Sequence, residues 1–165
     1  MQDFVHLHVH TQYSLLDGQA SVARLVDKAM KNGMKGIAVT DHGNMFGIKE
    51  FTNYVNKKNS GPKGEVKDLK KRIAGIEAGT IECEDKEAEI AACKAKIVEA
   101  ENKLFKPIIG CEMYVARRTM DLKEGKPDQS GYHLIVLAKN ETGYHNLIKL
   151  VSHAWTRGYY MRPRT

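Results

Sequence analysis

The stretch Phe4-Val5-His6-Leu7-His8-Val9-His10 constrains this chain more than any other. Val5, Leu7 and Val9 alternate with His6, His8 and His10, which is the period of a β-strand. Alternation predicts three imidazoles on one face and the aliphatic side chains on the other. Neutral imidazole ligates transition metals, and an i, i+2 pair on a strand can converge on one ion. Asp17 follows in Ser14-Leu15-Leu16-Asp17-Gly18, near enough for a loop to return a carboxylate oxygen to the same place. The alternative is a strand whose histidines hydrogen-bond inside a core; three in alternation with a nearby aspartate weigh against it.

A chain of 165 residues fits one domain with a real core, and 42% hydrophobic with 28% charged residues suits a soluble globular protein. No apolar run approaches the roughly 20 residues that span a bilayer, so no membrane partner is expected. The start Met1-Gln2-Asp3 lacks the basic and apolar regions of a secretory signal. Cys83, Cys93 and Cys111 are odd in number and form no CxxC pair, which predicts reduced thiols and a cytoplasmic protein. The net charge of +6 permits a nucleic-acid partner without demanding one.

The fold class expected is α/β. Ser21 is placed to cap a helix carrying Val22, Leu25, Val26, Ala29 and Met30, and Gly33 is placed to stop it. Gly36-Ile37-Ala38-Val39-Thr40 reads as a strand buried on both faces, ending in Asp41-His42-Gly43-Asn44. A second helix is expected over about Met45–Asn56. Strand, helix, strand, helix in this order implies right-handed β/α units. From about Lys57 to Lys106 the rhythm breaks. Asn59-Ser60-Gly61-Pro62 signals a turn, Leu69, Ile73 and Ile76 space helically, Thr80 to Asp85 signals a second turn, and Ile90, Ala91, Ile97, Ala100 and Leu104 give a second amphipathic helix. This segment is expected to be an inserted hairpin of two antiparallel helices, either merely solvated or serving as a docking arm. The β/α rhythm then resumes with a strand over Pro107–Val115 carrying Glu112, a polar loop over Arg117–Ser130, a strand over His133–Ala138, and a helix reaching Trp155.

His8, His10, Asp17, His42, Glu112 and His133 form the candidate metal set, most of them at or beyond strand C-terminal ends. Mixed imidazole and carboxylate ligands without thiolate favour zinc, manganese or iron over a structural zinc knot. Several ligands of both kinds suggest more than one divalent ion, which suits phosphoester hydrolysis by an activated water. Asp41 is open to two roles, orienting a ligand histidine or capping a helix. His6 lies deeper on the strand, where a buried hydrogen bond is the expected role.

These residues carry a family resemblance. His6-Leu7-His8-Val9-His10-Thr11 with Tyr13-Ser14 and Asp17-Gly18, then Thr40-Asp41-His42-Gly43, then Gly110-Cys111-Glu112, resemble the polymerase and histidinol phosphatase (PHP) domain. Tyr132–Asn140, Thr142–Leu147, Ser152-His153-Ala154, Arg157–Tyr160 and Pro163-Arg164 narrow the resemblance to the N-terminal part of bacterial DNA polymerase III alpha subunits. The resemblance implies a distorted, TIM-like β/α barrel of seven strands around a multinuclear metal cluster. It implies metal ligation by His8, His10, Asp17, His42, Glu112 and His133, with Asp17, His42 and Glu112 as the catalytic residues. Residues 1–165 would be the N-terminal part of that domain, interrupted by the helical insertion. The family supplies further ligands beyond Thr165, so a partial barrel, an incomplete site and an inactive isolated piece are expected.

The implied activity is a metal-dependent 3′–5′ exonuclease or phosphoesterase, attached to a DNA-directed DNA polymerase whose nucleotidyl transfer resides in other domains. The implied partners are DNA and other replicase subunits, among them a proofreading exonuclease and a sliding clamp. Two other readings stand beside this one. A non-catalytic scaffold would dock a proofreading subunit, though a pure scaffold has little reason to retain buried charge. A free-standing phosphatase of the histidinol-phosphate type would share the metal motifs but not Tyr132–Arg164. Trp155, Tyr159 and Tyr160 could stack bases, with helix-end packing as the plainer expectation. Arg157, Arg162 and Arg164 could touch phosphates.

Overall fold

A computed structural model describes residues 4–129 and 131–165. The start Met1–Asp3 and Ser130, the last residue of the expected polar loop, lie outside the described residues. Two compact units emerge, one of residues 1–54 with 106–165 and one of Val55–Phe105.

The first unit is built on a three-stranded mixed sheet of order β1-β2-β3. Its strands are β1 (Gly36–Val39), β2 (Lys106–Ala116) and β3 (Gly131–Leu137). β1 runs parallel to β2, with Val39 opposite Ile109. β3 runs antiparallel to β2, with Tyr114 opposite His133. The expected succession of parallel β/α units therefore gives way at β3, because the link over 117–130 holds, among the described residues, a single four-residue helix, too short to serve as a crossover helix. Helix α1 (Val22–Lys31) forms as its 3.6-residue pattern requires: Val22, Val26 and Ala29 are buried, Ser21 caps the start, and Gly33 takes a left-handed φ of 75° beyond the end. Helix α2 (Ile48–Lys58) starts later than the pattern suggests, since Asn44 Oδ1 accepts from Phe46 N–H and holds a turn ahead of it.

Two departures concern the histidine stretch. Residues 4–10 are extended beside β1 without forming a regular strand; Ala38 N–H reaches His6 O and Thr40 N–H reaches Val9 O. His6 is exposed, with its ring edge against Phe4, and it is not the buried hydrogen-bonding residue expected.

Helix α3 (Ser60–Glu77) begins where a turn was expected. The Asn59–Pro62 signal reduces to Asn59 alone, and Pro62 sits in the first helical turn, where its missing N–H costs nothing. α4 (Lys86–Asn102) starts at Asp85, whose side chain accepts from Ala88 N–H. The covered branched-aliphatic, cysteine and alanine positions run Val66, Leu69, Ile73, Ile76 on α3 and Ile90, Cys93, Ile97, Ala100 on α4, with Leu104 just beyond its end. Both run at alternating spacings of three and four, the 3.5-residue repeat of a coiled-coil seam. Ala91, expected on that seam, is exposed because the repeat passes through Cys93 instead. Asn59 is buried and bonds Phe105 both ways: its Nδ2 donates to the Phe105 carbonyl at 2.8 Å and its Oδ1 accepts the Phe105 N–H at 2.9 Å.

The chain continues through the short α5 (Lys126–Gln129), α6 (Glu141–Thr156) and the two-residue strands β4 (Tyr159–Tyr160) and β5 (Arg162–Pro163). α6 packs Leu147, Val151 and Ala154 against Cys111 and Met113. Alternation along β2 then sends Glu112 and Tyr114 to the opposite face. The tail has a structural role that sequence could not assign. Arg164 is buried, and its guanidinium donates to the carbonyls of Gly158, Met120 and Leu122. Among the described residues no helix is long and apolar enough to cross a membrane.

Candidate metal centre

Glu112 is the hub. It is 3% exposed, and four histidines surround its carboxylate. Backbone pairing fixes the first of these contacts: Glu112 N–H donates to Asp41 O and Gly43 N–H donates to Glu112 O, so His42 and Glu112 sit opposite one another across β1 and β2. Gly43 takes a φ of 58°, and a Cβ there would meet Pro163 at 2.6 Å; glycine alone allows the chain to turn away just after the histidine.

The carboxylate oxygens are divided. Oε2 lies 3.2 Å from His8 Nε2 and 3.1 Å from His10 Nε2. Oε1 lies 3.3 Å from His42 Nδ1 and also contacts His133 Nδ1. His133 stands at the start of β3, and the antiparallel pairing carries that start to the Glu112 end of β2. The sequence-based picture of ligands at strand C-terminal ends is met from a strand's N-terminal end.

Asp17 arrives on the loop that follows the histidines. Ser14 N–H bonds Thr11 O, and Gly18 N–H bonds Ser14 O at 2.8 Å, closing a tight turn. A Cβ on Gly18 would fall 1.8 Å from Thr11 O, so this closure requires glycine. The turn sets Asp17 Oδ2 at 2.5 Å from His42 Nε2. That bond, more than the charge on His42, holds the Asp17 carboxyl below its usual 3.8. Among the described residues two groups of atoms lie close enough to hold an ion: His8, His10 and Glu112, and His10, Asp17 and His42.

Asp41 is buried and resolves its two open roles in favour of orientation. It accepts Thr11 N–H at 2.6 Å, Thr11 Oγ1–H at 2.8 Å and Ser14 Oγ–H at 2.7 Å. Ser14 thereby spends its only proton on a carboxylate that has none to give. Its Oγ, 3.1 Å from His10 Nδ1, must accept from that nitrogen. His10 therefore carries its proton on Nδ1. Burial, then the neighbouring His42, lowers its pKa from the ordinary 6.5, which favours the neutral ring. The bare Nε2 lone pair then faces an anionic oxygen at 3.1 Å. A bound cation would remove that repulsion, and the imidazole and carboxylate donor set fits a divalent ion. Thr40 admits the same arrangement for His8, with Oγ1 at 2.9 Å from Nδ1. Ser14 and Thr40 escaped the sequence reading; the signal available was their place within the ligand motifs.

The remaining candidates lie elsewhere. Arg157 pairs with both Asp121 oxygens at 2.7 Å. His145 and His153 are exposed on α6.

The chain matches the model of the PHP domain over residues 6–165. It is 41% identical over 98% of its length to the DNA polymerase III subunit alpha of Borreliella burgdorferi and 40% identical over 98% to that of Treponema pallidum. It is 32% identical over 99% of its length to the corresponding protein of Aquifex aeolicus. It spans about a tenth of the length of these curated relatives, 10–11% of each.

Proposed function

The chain belongs to the PHP domain family, and from that premise we propose that its histidine and carboxylate cluster is a divalent-metal phosphoesterase centre acting on DNA 3′ ends within a replicative polymerase alpha subunit. The observation that carries this reading is the bare His10 Nε2 lone pair aimed at Glu112 Oε2. His8, His10, Asp17, His42, Glu112 and His133 are the proposed ligands, and zinc, manganese or iron are the ions their chemistry suits. When bound, such ions activate water and neutralise charge on a phosphate and its leaving oxygen.

The chain's own residues supply the rest. Glu112 presents separate oxygens to two histidine pairs, so its carboxylate would serve both sides of the cluster. His8 and His10 hold one side, with their Nδ1 atoms tied to Thr40 and Ser14. His42 and Asp17 hold the other, and Tyr114 Oη fixes the His42 ring at 3.0 Å from Nδ1. The fold proposed around them is the N-terminal part of a distorted seven-stranded β/α barrel with residues 57–106 inserted. Cytoplasmic location and partnership with further replicase subunits, including a proofreading exonuclease and a sliding clamp, follow from the same reading. DNA-directed DNA polymerisation would reside in other domains of the alpha subunit.

Elemental analysis of the protein purified without chelator tests the proposal. Near-stoichiometric zinc, manganese or iron that disappears in a His8→Ala, His10→Ala double variant is expected. Equal metal content in the two proteins would sink the ligand assignment.

A further inference from the structure

Beside the metal centre lies a cavity of about 230 Å³, most of whose lining lies outside the proposed ligand set. His42 forms part of its wall beside Ser14, Asn44 and Tyr114, and the apolar side chains of Leu15, Phe46 and Trp155 line it together with Tyr159 and Arg162. These apolar side chains are not core residues seen from their backs. Leu15 is 84% exposed, Phe46 66%, Tyr159 48% and Trp155 43%. Grouped exposed apolar side chains of this kind mark a binding surface. On α6 the inward stripe is Leu147, Val151 and Ala154, so Trp155 stands at its flank and the core leaves it aside.

The rings are held in place. Trp155 Nε1–H donates to Gly43 O at 2.7 Å, which ties the indole to the residue following His42. Tyr159 stacks on it with centroids 5.6 Å apart and planes 20° apart, and Phe46 lies 6.3 Å away on the same indole. The Arg162 guanidinium sits 4.9 Å above the Tyr114 ring, whose hydroxyl contacts His42. A cation, a fixed aromatic platform and a metal-binding cluster thus share one hollow. Its volume is below the roughly 300–1,000 Å³ of pockets for drug-sized ligands, so it suits a single ring system.

We propose that this hollow is a nucleobase slot: the end nucleotide of a single-stranded nucleic acid stacks its base on Phe46, Trp155 and Tyr159, while its phosphate lies between Arg162 and the metal centre. The slot rests on the phosphoesterase reading for its orientation and adds a substrate preference to it. Bases stack on aromatic rings whatever their sequence, so the slot is sequence-tolerant. It selects nucleotides over small phosphate esters that carry no ring.

Trp155 is the chain's single tryptophan, and its emission reports the slot directly. The probe is a thymidylate hexamer titrated in chelator, compared with an abasic strand of the same length. Saturable quenching by the hexamer is expected, with much weaker binding of the abasic strand. Phe46→Ala is expected to weaken hexamer binding roughly 5- to 150-fold, the worth of one stacked ring. Phe46→Tyr is expected to restore it, and circular dichroism checks that both variants fold. Arg162→Gln is expected to lower the salt dependence by about one phosphate contact. No quenching, equal binding of the two strands, or unaltered affinity in folded Phe46→Ala would each overturn the slot; the first would leave a polypeptide segment as the cover of these rings. Hydrolysis of a small aryl phosphate by the unmodified protein reports the metal centre separately. Binding without hydrolysis would leave the slot and remove the catalytic reading, and hydrolysis without binding the reverse.

Discussion

The two units of this chain solve opposite problems. The helical unit, Val55–Phe105, closes on an apolar seam between two helices adjacent in sequence, and its ion pairs lie on exposed flanks, Arg72 with Glu89 at 2.9 Å and Lys70 with Glu101 at 3.8 Å. Such pairs contribute little. The sheet unit instead buries Thr11, Ser14, Thr40, Asp41 and Glu112, groups that destabilise a fold unless each finds a partner. It tolerates the first four because each is hydrogen-bonded, and the network's product is a set of oriented imidazoles around Glu112. Stability in one unit is a matter of pattern. In the other it is a matter of bookkeeping, proton by proton.

That contrast can be broken from either side. The largest effect expected is from Ile76→Ala, which empties a fully buried position of the seam and should cost about 2–5 kcal/mol. Denaturant unfolding should show the loss while bound metal per folded chain stays constant; a fall in metal content would mean the units are not separable. Ser14→Ala works in the opposite sense. It leaves His10 without its acceptor and should weaken metal binding about 10- to 100-fold, the usual worth of an outer partner. An unchanged affinity by competition with a chelator dye would refute the proton assignment at His10.

The smallest effect concerns pH. Arg118, donating to Asp128 at 3.0 and 2.5 Å, holds the Asp128 carboxyl below its usual 3.8. A depressed carboxyl stabilises the fold above its unfolded pKa and loses that contribution as pH falls through the lower, folded value. Melting temperature should therefore drop below about pH 4 more steeply in the unaltered protein than in Asp128→Asn, where no carboxyl titrates at this position. Parallel curves would exclude the clasp as a contributor.

Much of this was legible in sequence because it is written in period and chemistry. The cap at Ser21, the buried strand at Gly36 and the two inserted helices follow from local patterns. So does the gathering of His8, His10, His42 and His133 around Glu112, with Asp17 against His42, since histidines and carboxylates at those spacings have few other uses. What escaped was set by distant partners. The direction of β3 depends on which strand it meets, and the burial of Arg164 on carbonyls some 40 residues away. His6 was misplaced because alternation tells which face a side chain takes and not whether anything covers that face. Ala91 was misplaced because a 3.6-residue pattern was expected where helix pairing imposes 3.5.

The bond pair between Asn59 and Phe105 also bears on how this chain folds in time. Val39 and Ile109 must pair across 69 intervening residues, and closing a loop costs roughly 0.6 kcal/mol for every doubling of its length. Helix hairpins form from neighbouring segments and form early. Once Asn59 clasps Phe105, the chain between them no longer counts as slack, and the parallel pairing of β1 with β2 becomes a short-range search. The insertion then acts as a shortcut, drawing together the strand that leads into His42 and the strand that carries Glu112.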